Sequence, residues 1–159
     1  MPKLKRISAS MFVIILLCFF FPFVTVSCGN TQVAELSGIQ LVTGSKVETP
    51  EFAGGEEIET VRPNTQALVA LAAAGVGLGT SFLKFHRSVL VTAGSGALGT
   101  IMLLSLKSGI DKSLLERGAG FAGLAGLRVT YGLGFWGSLL LFIAAAAFNI
   151  WLFLDKKDQ

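Results

Sequence analysis

Two thiols, one imidazole and a run of carboxylates are the side chains here whose types suit nucleophilic or metal chemistry. Cys18 and Cys28 lie ten residues apart, and His86, the only histidine, is distant from both. Ten residues of helix separate Cα atoms by ~15 Å, beyond the ~7 Å limit for a disulfide, so no intrachain bridge is expected. Two cysteines and one remote histidine do not complete a zinc site of ordinary ligation. Glu48, Glu51, Glu56, Glu57 and Glu59 offer hard oxygen ligands for Ca²⁺, but without a regular ligand spacing around a turn glycine they read as a solvated acidic surface. No phosphate-cradling G-x-x-x-x-G-K-[ST], G-x-S-x-G elbow or H-E-x-x-H occurs. The sequence therefore calls for no catalytic residue, no cofactor and no metal, and it reads as non-enzymatic.

The elements that carry these groups are unusually apolar. Of 159 residues, 52% are hydrophobic and only 14% charged, and the mean hydropathy is +0.69. Asp, Glu, Lys and Arg are absent from residues 7–34, 63–83, 88–106 and 129–154. Each gap approaches or exceeds the ~20 residues that a helix needs to cross ~30 Å of hydrocarbon. A charge at mid-bilayer costs about 2.5–3.5 kcal/mol, so four such gaps predict four membrane spans, at about 7–26, 65–83, 88–106 and 131–154. The expected fold class is an all-α membrane protein with a small β element: a four-helix transmembrane bundle in one integral membrane domain, 1–159.

The formal net charge is +3, but the basic residues do not form a nucleic-acid stripe. Lys3, Lys5, Arg6, Lys84, Arg87, Lys156 and Lys157 occupy the three short segments outside the spans. Short basic segments stay in the cytoplasm, which places both termini on the inner side of a cytoplasmic (inner) membrane and the segments about 27–64 and 107–130 outside. Asp, Glu, His, Lys and Arg, which pumps and charge-selective pores keep at depth, are absent from all four spans.

The first span begins like a signal peptide, with a basic start and an apolar run, but the run is long and no small-x-small cleavage site follows. Thr25-Val26-Ser27-Cys28 loosely matches a lipobox, which makes Cys28 a candidate lipidation site. The second and third spans are rich in small residues. Gly75-x-x-x-Gly79 in one, with Gly96 and Gly99 in the other, permits close backbone approach, and a tightly packed hairpin of these two helices is expected. Trp136 and Trp151, ~22 Å apart along a helix, suit opposite membrane interfaces as anchors. Asn149 is positioned to hydrogen-bond a neighbouring helix.

Outside the membrane, Val24–Cys28 and Thr31–Leu36 flank Gly29-Asn30, the length and composition of a primed hairpin turn, in a register that sets Val26 opposite Val33. Ile39–Val42 between two glycines is expected to add a third strand, giving a β-hairpin or three-stranded extracytoplasmic element between the first and second helices. Residues 45–62 are expected as an acidic, mobile loop. Residues 111–117 are an amphipathic stretch, and the glycine-rich segment 118–130 is either flexible or packed on the sheet.

"FFPFVTVSCGN", "LSGIQLVTG" and "YGLGFW" together resemble a loosely related set of uncharacterised bacterial small membrane proteins with four spans; the resemblance implies the layout and no activity. The layout is also similar to that of claudin-like proteins, but their W…G-L-W and paired external cysteines are missing. The sequence thus predicts a structural or accessory membrane subunit that presents its β element to a protein partner or to another copy as a homo-oligomer. Its surroundings are the lipid bilayer, with no nucleic acid. The alternative is a permeation or transport subunit with the glycine-rich second and third helices lining a path.

Overall fold

A computed structural model describes residues 2–28, 31–47, 59–61, 63–82, 88–120 and 127–155. Four long helices carry the fold: α1 (Pro2–Cys18), α3 (Thr65–Phe82), α4 (Ser88–Gly120) and α5 (Leu133–Asp155). Between them lie β1 (Pro22–Cys28), β2 (Thr31–Ser37), the short α2 (Gly38–Thr43), β3 (Ser45–Val47), β4 (Glu59–Val61) and β5 (Leu127–Tyr131). Contacts fix the helices as antiparallel neighbours. Phe12 of α1 meets Gly77 of α3, and Phe142 and Ala146 of α5 meet Gly99 and Gly96 of α4. Thr80 and Thr92 bond across α3 and α4 at 3.0 Å, while Ser8 and Asn149 join the far ends of α1 and α5. A three-stranded sheet, order β2-β1-β5, covers the other end of the bundle.

Three helical stretches, Thr65–Phe82, Leu90–Lys112 and Leu133–Leu154, are long and apolar enough to cross a membrane; α1 contributes a shorter apolar helix, Ile7–Cys18. The outward faces agree with a lipid surround. Ile14, Leu17, Val76, Leu98, Leu140 and Ile143 are exposed around the bundle, whereas the interior holds Phe12, Ile15, Leu103, Phe135 and Phe142. Exposed apolar surface on this scale is foreign to a water-soluble monomer.

The first helix stops earlier than the expected 26. After Cys18, Phe20 N–H donates to the Leu17 carbonyl (3.0 Å) and Phe21 N–H to that of Cys18 (3.1 Å), a tightened last turn. Pro22 then has no N–H to continue a helix and opens β1, where a first strand residue tolerates it. The β-branched Val24, Thr25 and Val26, which the sequence places both in the span and in the first hairpin strand, are strand.

The hairpin register also differs. Cys28 pairs with Thr31 and Ser27 with Gln32, but Val26 pairs with Ala34 and Val24 with Leu36, because a bulge inserts Val33. Without it, Val24 would face Glu35, and a carboxylate would sit on the face that packs on the bundle. The extra residue puts Leu36 there and sends Glu35 outward.

The expected third strand at 39–42 is instead the helix α2. Ser37 Oγ accepts from the Gln40 backbone N–H, and the Gln40 side chain accepts from the Ser37 N–H, a reciprocal capping box that favours helix over strand. Gly44 closes it at φ 80°, a left-handed value that suits glycine. The third strand is β5, ninety residues away, paired with β1 in unbroken register from Val24↔Tyr131 to Cys28↔Leu127. The ends of the expected acidic loop pair as β3 and β4, while Glu48, Glu51, Glu56 and Glu57 lie outside the described residues. The helix of the third span continues past 106: α4 runs unbroken for 33 residues, about 50 Å at ~1.5 Å per residue, so it outruns a bilayer core.

Candidate functional site

The sheet end of the bundle is built around Phe19–Phe23, where α1 becomes β1. The Phe19 and Phe23 rings stack obliquely at 4.9 Å, and Phe23 meets Phe135 edge-on at 6.0 Å. A Cβ on Gly38 would reach 2.8 Å from the Phe19 ring, and one on Gly134 would reach 2.8 Å from the Cys18 carbonyl oxygen. A Cβ on Gly132 would collide with the Pro22 carbonyl, and the Gly132 N–H donates to the Phe23 carbonyl at 2.9 Å. The Ile39 N–H donates to the Phe19 carbonyl at 3.0 Å. The motifs F-F-P-F, L-S-G-I and Y-G-L-G-F are thus three sides of one junction. Gly132 and Gly134 are required because backbone passes against backbone there, and Gly38 because the Phe19 and Phe23 rings lie against it.

The sheet mounted on this junction has two unlike faces. Val24, Val26, Leu36, Val129 and Tyr131 pack on the bundle core. The opposite face carries Thr25, Gln32, Glu35, Arg128 and Thr130, with Glu35, Thr25 and Thr130 in one cross-strand row. Among the described residues, β2 and β5 have no strand partner on their outer sides. Such edges carry free N–H and C=O groups, the template on which another chain adds a strand.

Tyr131 ties the sheet to α4. Its hydroxyl donates to Asp111 Oδ1 at 2.7 Å and lies 3.3 Å from the Lys107 carbonyl. Lys107 pairs with Asp111 at 3.1 Å and holds its ammonium 5.3 Å from the Tyr131 ring centre. With side chains 36% and 44% exposed, that ion pair contributes only about 0.3–0.5 kcal/mol. Burial, and then the hydrogen bond to the Asp111 carboxylate, push the Tyr131 phenol well above its usual range, so it remains a neutral donor. Sequence reasoning passed over this cluster because its members lie 20 and 24 residues apart on different elements.

The glycines singled out from the sequence divide in the structure. Gly75 and Gly79 are exposed and meet nothing where a Cβ would stand, a correction to the expected α3–α4 packing row; the packing glycine of α3 is Gly77, filled by the Phe12 ring. Gly96 and Gly99 do lie at a helix contact, but with α5. Trp136 and Trp151 are both exposed near opposite ends of α5, against Phe135 and Phe148. Cys28 is the last residue of the central strand. The α1 helix, which processing at Cys28 would remove, supplies Phe12 and Ile15 to the core. Asn149 is buried, its amide donating to Ser8 Oγ at 3.0 Å and to the Ala145 carbonyl at 2.7 Å.

Beside the tyrosine cluster, α3 and α4 enclose an open groove of about 440 Å³ lined by Gln66, Ile101, Leu104, Ser105, Ser108 and Lys112. No protein-family model matches the chain, and neither curated proteins nor solved structures give a match.

Proposed function

We propose that this chain is a non-enzymatic structural or accessory subunit of a bacterial inner membrane, with both termini in the cytoplasm. Its role is to hold the β2-β1-β5 sheet just outside the bilayer for a partner protein or a second copy. The observation that carries this reading is the sheet itself: a polar outer face and edge strands with no outer strand partner among the described residues, fixed to the bundle by the Phe19–Phe23 junction and the Tyr131 hydrogen bonds. Two segments a hundred residues apart are anchored at one place, which favours a rigid display surface over a connecting loop. The exposed collar of Phe20, Phe21, Leu133 and Trp136 beside the junction supports seating that end at a membrane interface.

The bundle interior supports this reading over a permeation path between α3 and α4. Phe12 and Phe142 fill the notches at Gly77 and Gly99 and meet edge-on at 6.5 Å. A photo-crosslinking residue in place of Glu35 or Thr130, on the outer face, tests the proposal in native membranes. A discrete adduct of defined mass is expected. Recovery of an isolated monomer with no adduct at either position, or robust solute flux through liposomes holding the purified chain alone, would overturn it.

A further inference from the structure

The groove between α3 and α4 changes chemistry along its length. Its α4 residues, Ile101, Leu104, Ser105, Ser108, Gly109 and Lys112, follow at i, i+3, i+4, i+7, i+8 and i+11 and form one stripe of the helix. Ile101 and Leu104 are 57% and 48% exposed and offer only hydrocarbon. Ser105 and Ser108 add hydroxyls, and Lys112 ends the stripe with an ammonium ~16 Å further along the axis from Ile101. From the opposite wall Gln66, in the first turn of α3, contributes an amide. The stripe crosses the place where the charge-free stretch ends, between Leu106 and Lys107. Its apolar half therefore lies at hydrocarbon depth and its donors at headgroup depth.

Among the described residues, the cation of this groove has no carboxylate partner. Asp111, its nearest carboxylate in sequence, already accepts from Lys107 and Tyr131, and the ion pair Lys107–Asp111 is the one found among the described residues. Hydroxyl, amide and ammonium donors toward one end of the groove, with an apolar track leading away from them, match a phosphate joined to an acyl chain.

We propose that this groove binds a glycerophospholipid with an anionic headgroup, in the leaflet on the sheet side of the bundle. The phosphate sits among Ser105, Ser108 and Lys112, and an acyl chain lies along Leu104 and Ile101. This rests on the membrane placement proposed above. Only the shape and chemistry of the groove, not the identity of a protein partner, enter it.

The test uses the full chain purified in a neutral detergent and titrated with phosphatidylglycerol or phosphatidylcholine of identical acyl chains, with bound lipid read by native mass spectrometry. Phosphatidylglycerol is expected to bind about fivefold more tightly, the factor that one basic residue contributes beside an anionic headgroup. Lys112→Gln removes the preference, and Ser108→Trp, which fills the groove from an exposed position, weakens both lipids. Inorganic phosphate alone neither binds measurably nor displaces the lipid, because it lacks the apolar track. Equal binding of the two lipids, an unchanged preference in Lys112→Gln, or competition by free phosphate would overturn the proposal. Thiol labelling of Thr130→Cys from outside intact cells reports the membrane placement separately, so loss of the lipid preference with normal labelling condemns the groove alone.

Discussion

Gly75 and Gly77 differ by two positions in one helix and by everything around them. In Gly75→Ala the new methyl points into open space, whereas in Gly77→Ala it meets the Phe12 ring within contact distance. Phe12 is fully buried, and its ring lies edge-on to Phe142, which in turn fills the notch at Gly99, so it has no free direction in which to swing. Alanine favours helix over glycine by about 1 kcal/mol at either position. That gain cancels in the difference between the two variants and leaves the overpacking cost alone, about 1–3 kcal/mol. At roughly 2–4 °C per kcal/mol for a chain of this size, Gly77→Ala is expected to unfold about 2–12 °C below Gly75→Ala. Thermal unfolding in mild detergent, followed by circular dichroism, reads this directly. Trimming the opposing ring with Phe12→Leu is expected to recover part of the loss in Gly77→Ala and to harm Gly75→Ala as much as the wild type. Equal melting of the two alanine variants, or a lower value for Gly75→Ala, would refute the placement of Phe12 and with it the way α1 enters the bundle.

Tyr131→Phe removes a donor to Asp111 and is expected to cost about 1 kcal/mol; hydrogen exchange should quicken across β1 and β5 and stay unchanged in α3. Gly132→Ala drives a methyl into the Pro22 carbonyl, a backbone atom that no rotamer change relieves, and should lower the yield of folded protein in detergent more than any alanine in α3. Asn149→Ala leaves Ser8 without its partner and is expected to cost about 0.6–2 kcal/mol. In a double-mutant cycle, Ser8→Ala added to Asn149→Ala should then cost less than it does alone, and full additivity would contradict the bond.

The membrane character was legible because hydrocarbon excludes charge, a constraint written into single residues. Helix faces were not. Gly75, Gly77 and Gly79 look alike in sequence, and only the aromatic residue arriving from α1 decides that Gly77 packs and the other two do not. Local signals were sometimes present and outweighed by pattern: Ile39–Val42 reads as a strand by composition, yet Ser37 and Gln40 stand at capping-box spacing and govern the outcome. The bulge at Val33 follows from the need to turn Glu35 away from the core, a need that arises only once β1 is known to cover the bundle. For β5 the obstacle was distance. Leu127–Tyr131 alternates well enough, but nothing near it in the chain names its partner as Val24–Cys28. The three motifs at the junction were visible as strings, and their meaning lay in their meeting.

Labelling of single cysteines in a Cys18→Ser, Cys28→Ser background tests the membrane placement most directly. Glu35→Cys and Thr130→Cys, on the outer face of the sheet, are expected to react with a membrane-impermeant maleimide on intact cells, and His86→Cys only after the cells are opened. Reaction of His86→Cys on intact cells, or protection of both sheet positions until lysis, would contradict a bundle that carries its sheet outside the cytoplasmic membrane.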